Sequence, residues 1–229
     1  MTARSPRCLG LVGGLGVGAT VHYYRALAKA HAARGMVMRM VMEHVDTRDV
    51  FGFMSSGDSV GLAHYFAHSF GRLRAAGAEV AAVPAVAPHL CVRELTALSP
   101  LPIVNLLDAV ADAVRGSGIR RAAIFGTRLP MDTRVFGALG AVEVVTPKAA
   151  DVDYIHHTYL SLAMSGEGSE AYYRGLTTLA HALLHAGAER IILAATDLST
   201  IFTEDTTHFA HIDCARLHIE AILRALMPT

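Results

Sequence analysis

One ten-residue segment occurs twice in this chain, at positions separated by close to half of its 229 residues. Residues 76–85 and 186–195 both open with Ala-Gly-Ala-Glu, continue through five residues typical of a buried strand and end in an alanine. Glycine commonly ends a helix, and the apolar run after it favours a strand of a parallel sheet. The duplication therefore predicts two similar lobes whose strand ends lie across a cleft, where chemistry is first expected.

Strands and helices are predicted to alternate along the whole chain, which indicates an α/β fold with parallel sheets. Such sheets bind ligands at the carboxyl ends of their strands. We expect an N-terminal lobe over residues 1–116 and a C-terminal lobe over residues 117–229, with the C-terminal segment free to cross back to the first lobe. Asp46 and Arg48 are expected in a polar loop, where substrate binding is open to them but a solvated loop is the default interpretation. The predicted strands cover residues 8–12, 36–44, 80–83, 101–104, 121–125, 142–145 and 191–194, and the predicted helices residues 19–34, 59–76, 107–115, 131–139, 153–164, 170–186 and 215–226.

Composition argues against several classes of partner. Lys and Arg total 20, as do Asp and Glu, so charge gives no reason to expect nucleic acid or an anionic membrane. No run of about 20 apolar residues is present, so no membrane span is expected. Three widely spaced cysteines form neither a disulfide framework nor a metal-ligand pattern, which suits the cytoplasm.

Five segments stand out in order along nearly the whole chain: residues 9–15 with Ala19-Thr20 and Tyr23-Tyr24, residues 84–89 with Pro102, residues 124–127, residues 194–197, and Asp213 with His218. Together they resemble the motifs of the aspartate/glutamate racemase superfamily. The resemblance implies two pseudo-symmetric α/β lobes, a cleft for a small carboxylate, no cofactor and, as is usual in the family, a homodimer. In the family, two cysteines flank the α-carbon and exchange its proton on opposite faces.

The chain departs from the family pattern at both catalytic motifs. Ala85, Val86 and Ala87 replace a small residue or cysteine followed by Asn-Thr, and Ala195 begins a motif that usually reads Cys-Thr-Glu. Pro130 stands where the central loop usually has a threonine. Because alanine has no proton to exchange, the two-cysteine reaction is predicted to be absent, with Ala85 and Ala195 marking the positions of the lost cysteines.

Three residues are candidates for acid/base catalysis. Asp197 is the only carboxylate of the second motif. His44 ends a predicted strand, and two roles stay open for it: proton transfer, or hydrogen bonding to neighbouring loop groups only. His89 matches a family histidine and is expected mainly to support a helix start. Cys91 and Cys214 are expected to be small buried hydrophobic residues. The predicted substrate-binding residues are Gly14, Leu15, Val86, Ala87, Gly126, Thr127 and Thr196.

Three functions stay open from the sequence. The first is a cofactor-independent isomerase, lyase or cyclase acting on a small carboxylic acid or carbonyl compound bulkier and less polar than aspartate. The second is a small-molecule-binding protein without turnover. The third is a nucleotide-dependent oxidoreductase, suggested by Gly14-x-Gly16-x-x-Ala19, although Glu43 comes late for the acidic partner of that motif. No metal site is predicted, because the polar residues Glu204, Asp205, His208, His211 and Asp213 lack tight ligand spacing.

Overall fold

Two separate parallel sheets organise the computed structural model, which describes residues 6–203 and 205–227. Every strand pair is parallel, which confirms the predicted α/β fold with parallel sheets. The first sheet has the order β2-β1-β3 and the second the order β5-β4-β6-β7. The strands are β1 (Leu9–Gly13), β2 (Met40–His44), β3 (Val80–Ala82), β4 (Arg121–Gly126), β5 (Glu143–Val144), β6 (Arg190–Ala194) and β7 (His211–Asp213).

Helices connect and cover the strands. Two short 3-10 helices, Ala87–Cys91 and Thr196–Thr200, follow β3 and β6 at equivalent places in the two sheets. None of the helices in the described ranges is long and apolar enough to cross a membrane. The α-helices are α1 (Val17–Ala33), α2 (Thr47–Ser56), α3 (Ser59–Ala75), α4 (Val92–Leu98), α5 (Leu106–Ser117), α6 (Arg128–Asp132), α7 (Ala149–Ser165), α8 (Glu170–His185) and α9 (Cys214–Leu226).

The two copies of Ala-Gly-Ala-Glu have the same structural role. Gly77 and Gly187 adopt φ angles of 97° and 101°, a left-handed conformation that favours glycine after a helix. The glutamate two residues later binds backbone beside the central strand of its sheet. The Cys8 N–H donates to Glu79 Oε2 at 2.7 Å, and the Arg120 N–H donates to Glu189 Oε1 at 3.2 Å. Each copy therefore ends a helix and holds the next strand beside its neighbour.

Helices from the two halves of the chain cross between the sheets. Helix α5 follows the first sheet in sequence, yet Leu106 and Val110 pack with Ile124 and Ile192 of the second sheet. Helix α9 ends the second half, and its buried face packs in the core of the first sheet with β1 and β3. Helices α5 and α9 also contact each other. The division of the chain at residues 116 and 117 stays a prediction.

Two predictions about local structure were wrong. The region around Asp46 and Arg48 is the start of a helix rather than a loop, because the Asp46 side chain accepts a hydrogen bond from the Arg48 N–H and caps α2. Residues 101–104 form only a single bridge, between Ile103 and Ala81, and no regular strand.

The helix predicted over residues 131–139 was also wrong. Helix α6 ends at Asp132, and Arg134, Val135 and Phe136 all have φ angles near 54°. Val135 and Leu139 are nevertheless buried in the core of the second sheet. These apolar residues therefore belong to a buried left-handed turn, a backbone conformation that residues other than glycine seldom adopt.

The crossing of α9 can be tested by removing one of its core side chains. Ile222 is fully buried in the first-sheet core, so Ile222→Ala is expected to lower the free energy of unfolding by about 2–5 kcal/mol. Arg224→Ala on the exposed side of the same helix should change it by less than about 0.5 kcal/mol. Denaturant titration measures both, and equal effects would contradict the packing of α9 on the first sheet.

Candidate active site

A cavity of about 370 Å³ lies beyond the carboxyl ends of β1, β3 and β4. The loop after β1 contributes Gly14 and Leu15 to its wall, the loop after β3 contributes Ala85 and Ala87, and Thr127 follows β4. Helices α2 and α7 complete the wall. The cavity thus occupies the place where parallel sheets generally bind ligands, and its volume is near the lower end of the range for small-molecule pockets, about 300–1,000 Å³.

Five of the predicted residues line this cavity, and the others lie outside its lining. Gly14, Leu15, Ala85, Ala87 and Thr127 are at the wall. The other predicted residues stay predictions as site residues. His44 is exposed, and the rest are buried: Val86, Gly126, Ala195, Thr196, Asp197 and His89.

Asp197 connects the second half of the chain to the first helix. Its side chain is fully buried, and its Oδ1 accepts a 2.7 Å hydrogen bond from the Ala19 N–H in the first turn of α1. Helix α1 has Gly16 at its N-cap and so provides no capping side chain of its own. A Cβ on Gly16 would lie 2.5 Å from Asp197 Oδ2, so only glycine leaves room for this carboxylate. Asp197 therefore caps α1 from across the chain.

Burial raises the pKa of Asp197 from its ordinary 3.8 to about 6, against the opposing effects of the Ala19 N–H and the Tyr159 hydroxyl. A carboxyl group with a pKa near 6 can both accept and release a proton close to neutral pH. Asp197 is thus the carboxyl group beside the cavity that is best suited to proton transfer.

Tyr159, which sequence reasoning missed, joins Asp197 to the cavity. Its side chain lines the wall, and its hydroxyl donates to Asp197 Oδ2 at 3.5 Å. Burial and the nearby Asp197 raise the pKa of Tyr159 well above its usual value, so the phenol keeps its proton. Tyr159 is therefore the described residue of the lining that contacts the enclosed Asp197 carboxyl with its side chain.

Several hydrogen-bonding groups at the wall have no partner within residues 6–203 and 205–227. The buried Oγ1 atom of Thr127 makes no hydrogen bond to the described residues. The N–H groups of Leu15 and Gly16, at the same cavity, also have no acceptor among the residues that the structure describes. Thr47 donates its hydroxyl to the Gly14 carbonyl and so fixes the loop that carries these amides. These groups can donate hydrogen bonds to the carboxylate or carbonyl oxygen of a ligand.

His89 has both ring nitrogens occupied by backbone groups. Its Nδ1 contacts the Ala85 carbonyl at 2.7 Å, and its Nε2 accepts a 3.4 Å bond from the Leu106 N–H. Because a carbonyl can only accept, Nδ1 carries the proton of a neutral ring. Burial lowers the pKa of His89 to about 4, which keeps the ring neutral. The structure therefore gives His89 a supporting position at the start of α5.

Thr196 links the loops that follow the two duplicated strands. Its fully buried hydroxyl donates to the Pro84 carbonyl at 2.9 Å, directly before Ala85. Ala195, next to Thr196, packs in the second-sheet core with Phe125. The two predicted cysteine positions thus lie in loops joined by a hydrogen bond, with Ala85 at the cavity wall and Ala195 behind it.

His44 and Arg48 lie near the loop after β1. A Cβ placed on Gly14 would be 3.1 Å from Nε2 of His44, although His44 is outside the cavity lining. Arg48 lines the cavity, but its guanidinium pairs with Asp46 at 2.6 Å and is largely exposed. Hydrogen bonds from Arg48 lower the pKa of Asp46 to about 2. The positive charge nearest the cavity is therefore already neutralised by an ion pair.

All three cysteines are buried away from the cavity lining. The Cys91 thiol donates to the Pro88 carbonyl at 3.3 Å, and burial raises its pKa to about 12. Burial and Asp213 raise the pKa of Cys214 further, so both thiols stay protonated at neutral pH. Both cysteines pack in apolar cores, as the sequence predicted.

Residues 6–203 and 205–227 contain no group of three or more His, Cys, Asp or Glu arranged to hold a metal ion. Of the polar residues near the end of the chain, Glu204 lies outside the described residues. Asp213 caps α9 and accepts a 2.8 Å bond from the Ser199 hydroxyl. His211 contacts the Phe209 carbonyl. These contacts give Asp213 and His211 structural roles.

The start of α1 does not suit a dinucleotide. The Asp197 carboxylate already occupies the amide end of this helix, where a pyrophosphate would bind. Glu43, the acidic residue considered for a ribose, pairs instead with Arg72. Both observations disfavour the nucleotide-dependent alternative.

The buried carboxyl of Asp197 predicts a pH-dependent effect of its substitution. The folded protein holds this proton up to about pH 6 and the unfolded chain only to about pH 4, so Asp197 makes the free energy of unfolding fall as pH rises through that window. Asp197→Asn removes this effect. Relative to the unsubstituted protein, the variant should gain on the order of 2–3 kcal/mol between pH 4 and pH 7.

Denaturant titration at the two pH values measures this difference. Asp108→Asn is a matched control, because Asp108 is an exposed carboxylate in the first turn of α5. The control should show no comparable change. A constant difference between the Asp197→Asn variant and the unsubstituted protein at both pH values would contradict the raised pKa.

Comparison with known proteins supports the resemblance found in the sequence. The model of the Asp/Glu/hydantoin racemase family matches residues 12–222. A proposed Asp/Glu racemase from Yersinia pestis is 23% identical with a TM-score of 0.78, over 96% of this chain and 99% of that chain. An aspartate racemase homologue from Pyrococcus horikoshii OT3 is 20% identical with a TM-score of 0.77, over 96% and 99% of the two chains.

A double mutant of arylmalonate decarboxylase, in a liganded form, also shares the fold. It is 11% identical with a TM-score of 0.53, over 96% of this chain and 93% of that chain. At these identities the solved structures establish the fold, while the family model spans most of the sequence. The chain therefore belongs to the Asp/Glu/hydantoin racemase family.

Proposed function

We propose that the protein is a cofactor-independent isomerase, lyase or cyclase that acts on a small carboxylic acid or carbonyl compound through acid/base chemistry without cysteine. The observation that carries the proposal is the Tyr159–Asp197 pair, which joins a buried carboxyl group of raised pKa to the cavity wall. Perturbed carboxyl groups of this kind are concentrated at catalytic sites.

In this proposal the substrate oxygens bind to the unpartnered groups at the wall. The Thr127 hydroxyl and the N–H groups of Leu15 and Gly16 would hold a carboxylate or carbonyl oxygen. Negative charge develops on that oxygen when the neighbouring carbon becomes a carbanion. Fixed donors in an apolar cavity stabilise this charge more strongly than water does, because they need no reorganisation.

The proton moves between the substrate carbon and Asp197 by way of Tyr159. When Asp197 is ionised, the phenol can take a proton from the carbon while passing its own proton to the carboxylate. When Asp197 is protonated, the same transfers run in reverse and protonate a carbanion. A substrate anion bound at the loop amides would lie close to Asp197, because this carboxyl is next to Gly16. Its negative charge would therefore favour the protonated form of Asp197.

The named reactions of the structural neighbours are compatible with this chemistry. Racemisation of an amino acid and decarboxylation of a malonate both form a carbanion next to a carboxyl group and then protonate it. The family therefore supports carbanion chemistry as the class of reaction. A cytoplasmic location and a homodimer stay predictions for this chain.

A binding protein without turnover is the second candidate. It is favoured by His89, whose ring nitrogens are both occupied, and by the burial of all three thiols. Such a protein would use the same cavity and the same oxygen-binding groups. The two candidates differ in whether a proton on the ligand carbon exchanges with solvent.

Deuterium exchange distinguishes the two candidates. Carboxylic acids with an acidic α-C–H are incubated with the protein in D₂O, and mass spectrometry measures deuterium at the α-carbon. We expect enzyme-dependent exchange with at least one acid, and we expect Tyr159→Phe to slow it by about 10²–10⁴-fold, because the phenol carries the proton.

Tyr154→Phe is the matched control, since Tyr154 lies on the same helix but outside the cavity lining. It should leave the exchange rate unchanged. Tight binding of an acid with no exchange would support the binding protein, and equal rates for the two tyrosine variants would refute the proton path.

A further inference from the structure

We infer that α2 and α7 form an apolar subsite that selects carboxylic acids or carbonyl compounds bearing an aromatic or branched aliphatic group over polar acids of aspartate size. The inference rests on the proposed function, because it specifies the substrate class of the same cavity. The apolar subsite consists of Val50, Phe51 and Met54 of α2 and Leu160, Ala163 and Met164 of α7.

Helical spacing brings each set of side chains to the cavity. Met54 lies four residues after Val50 and three after Phe51, while Ala163 and Met164 lie three and four residues after Leu160. Residues with these spacings share one face of a helix. The two apolar faces line the same cavity as Thr127 and Tyr159, so one ligand can contact polar groups and the subsite together.

The subsite leaves large apolar side chains exposed to water. Phe51 is 42% exposed and Met164 is 82% exposed, whereas Val50 is buried in the adjoining core. An apolar group bound between α2 and α7 would remove part of this surface from water and so gain binding free energy. Because Val50 belongs to the adjoining core, it offers such a group a fixed apolar surface.

The charges at the cavity disfavour a second polar group on the ligand. Arg48 is the only charged residue in the lining, among the residues that the structure describes, and it already pairs with Asp46. The second carboxylate of aspartate would therefore lie against apolar walls, with no charged partner in the lining other than the paired Arg48. Transfer of an unpaired charge from water to such surroundings is strongly unfavourable. The walls thus favour an apolar substituent and oppose a charged one.

The binding of acids that differ only in the substituent tests the subsite without any need for turnover. Isothermal titration calorimetry compares 3-phenylpropanoate and 4-methylpentanoate with succinate and aspartate. Because burying a side chain of this size contributes about 1.5–3 kcal/mol, we expect the apolar acids to bind roughly 10–100-fold more tightly. Equal affinities, or tighter binding of aspartate, would overturn the inference.

Substitutions then locate the selectivity. Met164→Gln changes polarity with little change in length at an exposed position, so it should not unfold the protein. Met164→Gln and Phe51→Ser should each reduce the preference for 3-phenylpropanoate over succinate by about 5–20-fold. Leu98→Ala is the matched control, because Leu98 is 41% exposed but lies outside the cavity. An unchanged preference in both subsite variants would refute the assignment.

Two further readouts separate the possible failures. If Met164→Gln converts a dimer to a monomer in sedimentation velocity, a second copy of the chain covers this surface and the subsite assignment is wrong. If deuterium exchange occurs only with aspartate-sized acids, the subsite is wrong and the proposed catalysis stands. If apolar acids bind selectively through α2 and α7 without exchange, the subsite stands and the proposed catalysis fails.

Discussion

The hydrogen bond from the Ala19 N–H to the Asp197 carboxylate is the contact on which the cavity depends. It satisfies the amide end of α1, which has only Gly16 at its N-cap, with a side chain 178 residues away along the chain. The same carboxyl accepts the Tyr159 hydroxyl. A capping contact and a candidate proton path therefore share one buried group. Burial that raises its pKa opposes the helix amides that favour its charge, and this balance brings the pKa close to neutrality.

Hydrogen bonds from side chains to the backbone after β3 help to keep the Asp197 carboxyl in place. The Thr196 hydroxyl binds the Pro84 carbonyl, and His89 contacts the next carbonyl, that of Ala85. His218 reinforces this region, since its ring contacts Tyr23 at 3.1 Å and the Val104 carbonyl at 2.9 Å. Burial lowers the pKa of His218, as it does for His89, so both imidazoles are neutral. These histidines bind backbone groups, whereas the proposed proton transfer uses Asp197 and Tyr159.

The sequence predicted the fold well because its signals are local or repeated. The twin Ala-Gly-Ala-Glu segments identified the equivalent strands, and the motif order identified Ala85, Ala87 and Thr127 near one cavity. A usable signal for α2 was overlooked, since Asp46 is a good N-cap and Gly57 a good C-terminal glycine. Tyr159 offered no comparable signal. Its importance comes from a contact with Asp197 across 38 residues, which tertiary packing alone creates.

The exchange of α5 and α9 between the sheets restricts how the molecule can move. Each sheet is covered by a helix that belongs to the other half of the sequence, and the two helices touch. Exposing buried Leu106 or Ile222 would cost several kcal/mol for each side chain, so α5 would stay with the second sheet and α9 with the first in any opening between the sheets. This exchange of helices is expected to make the two sheets unfold cooperatively. An opening of the cavity between the sheets would therefore have to separate α5 from α9, the two helices that touch across them.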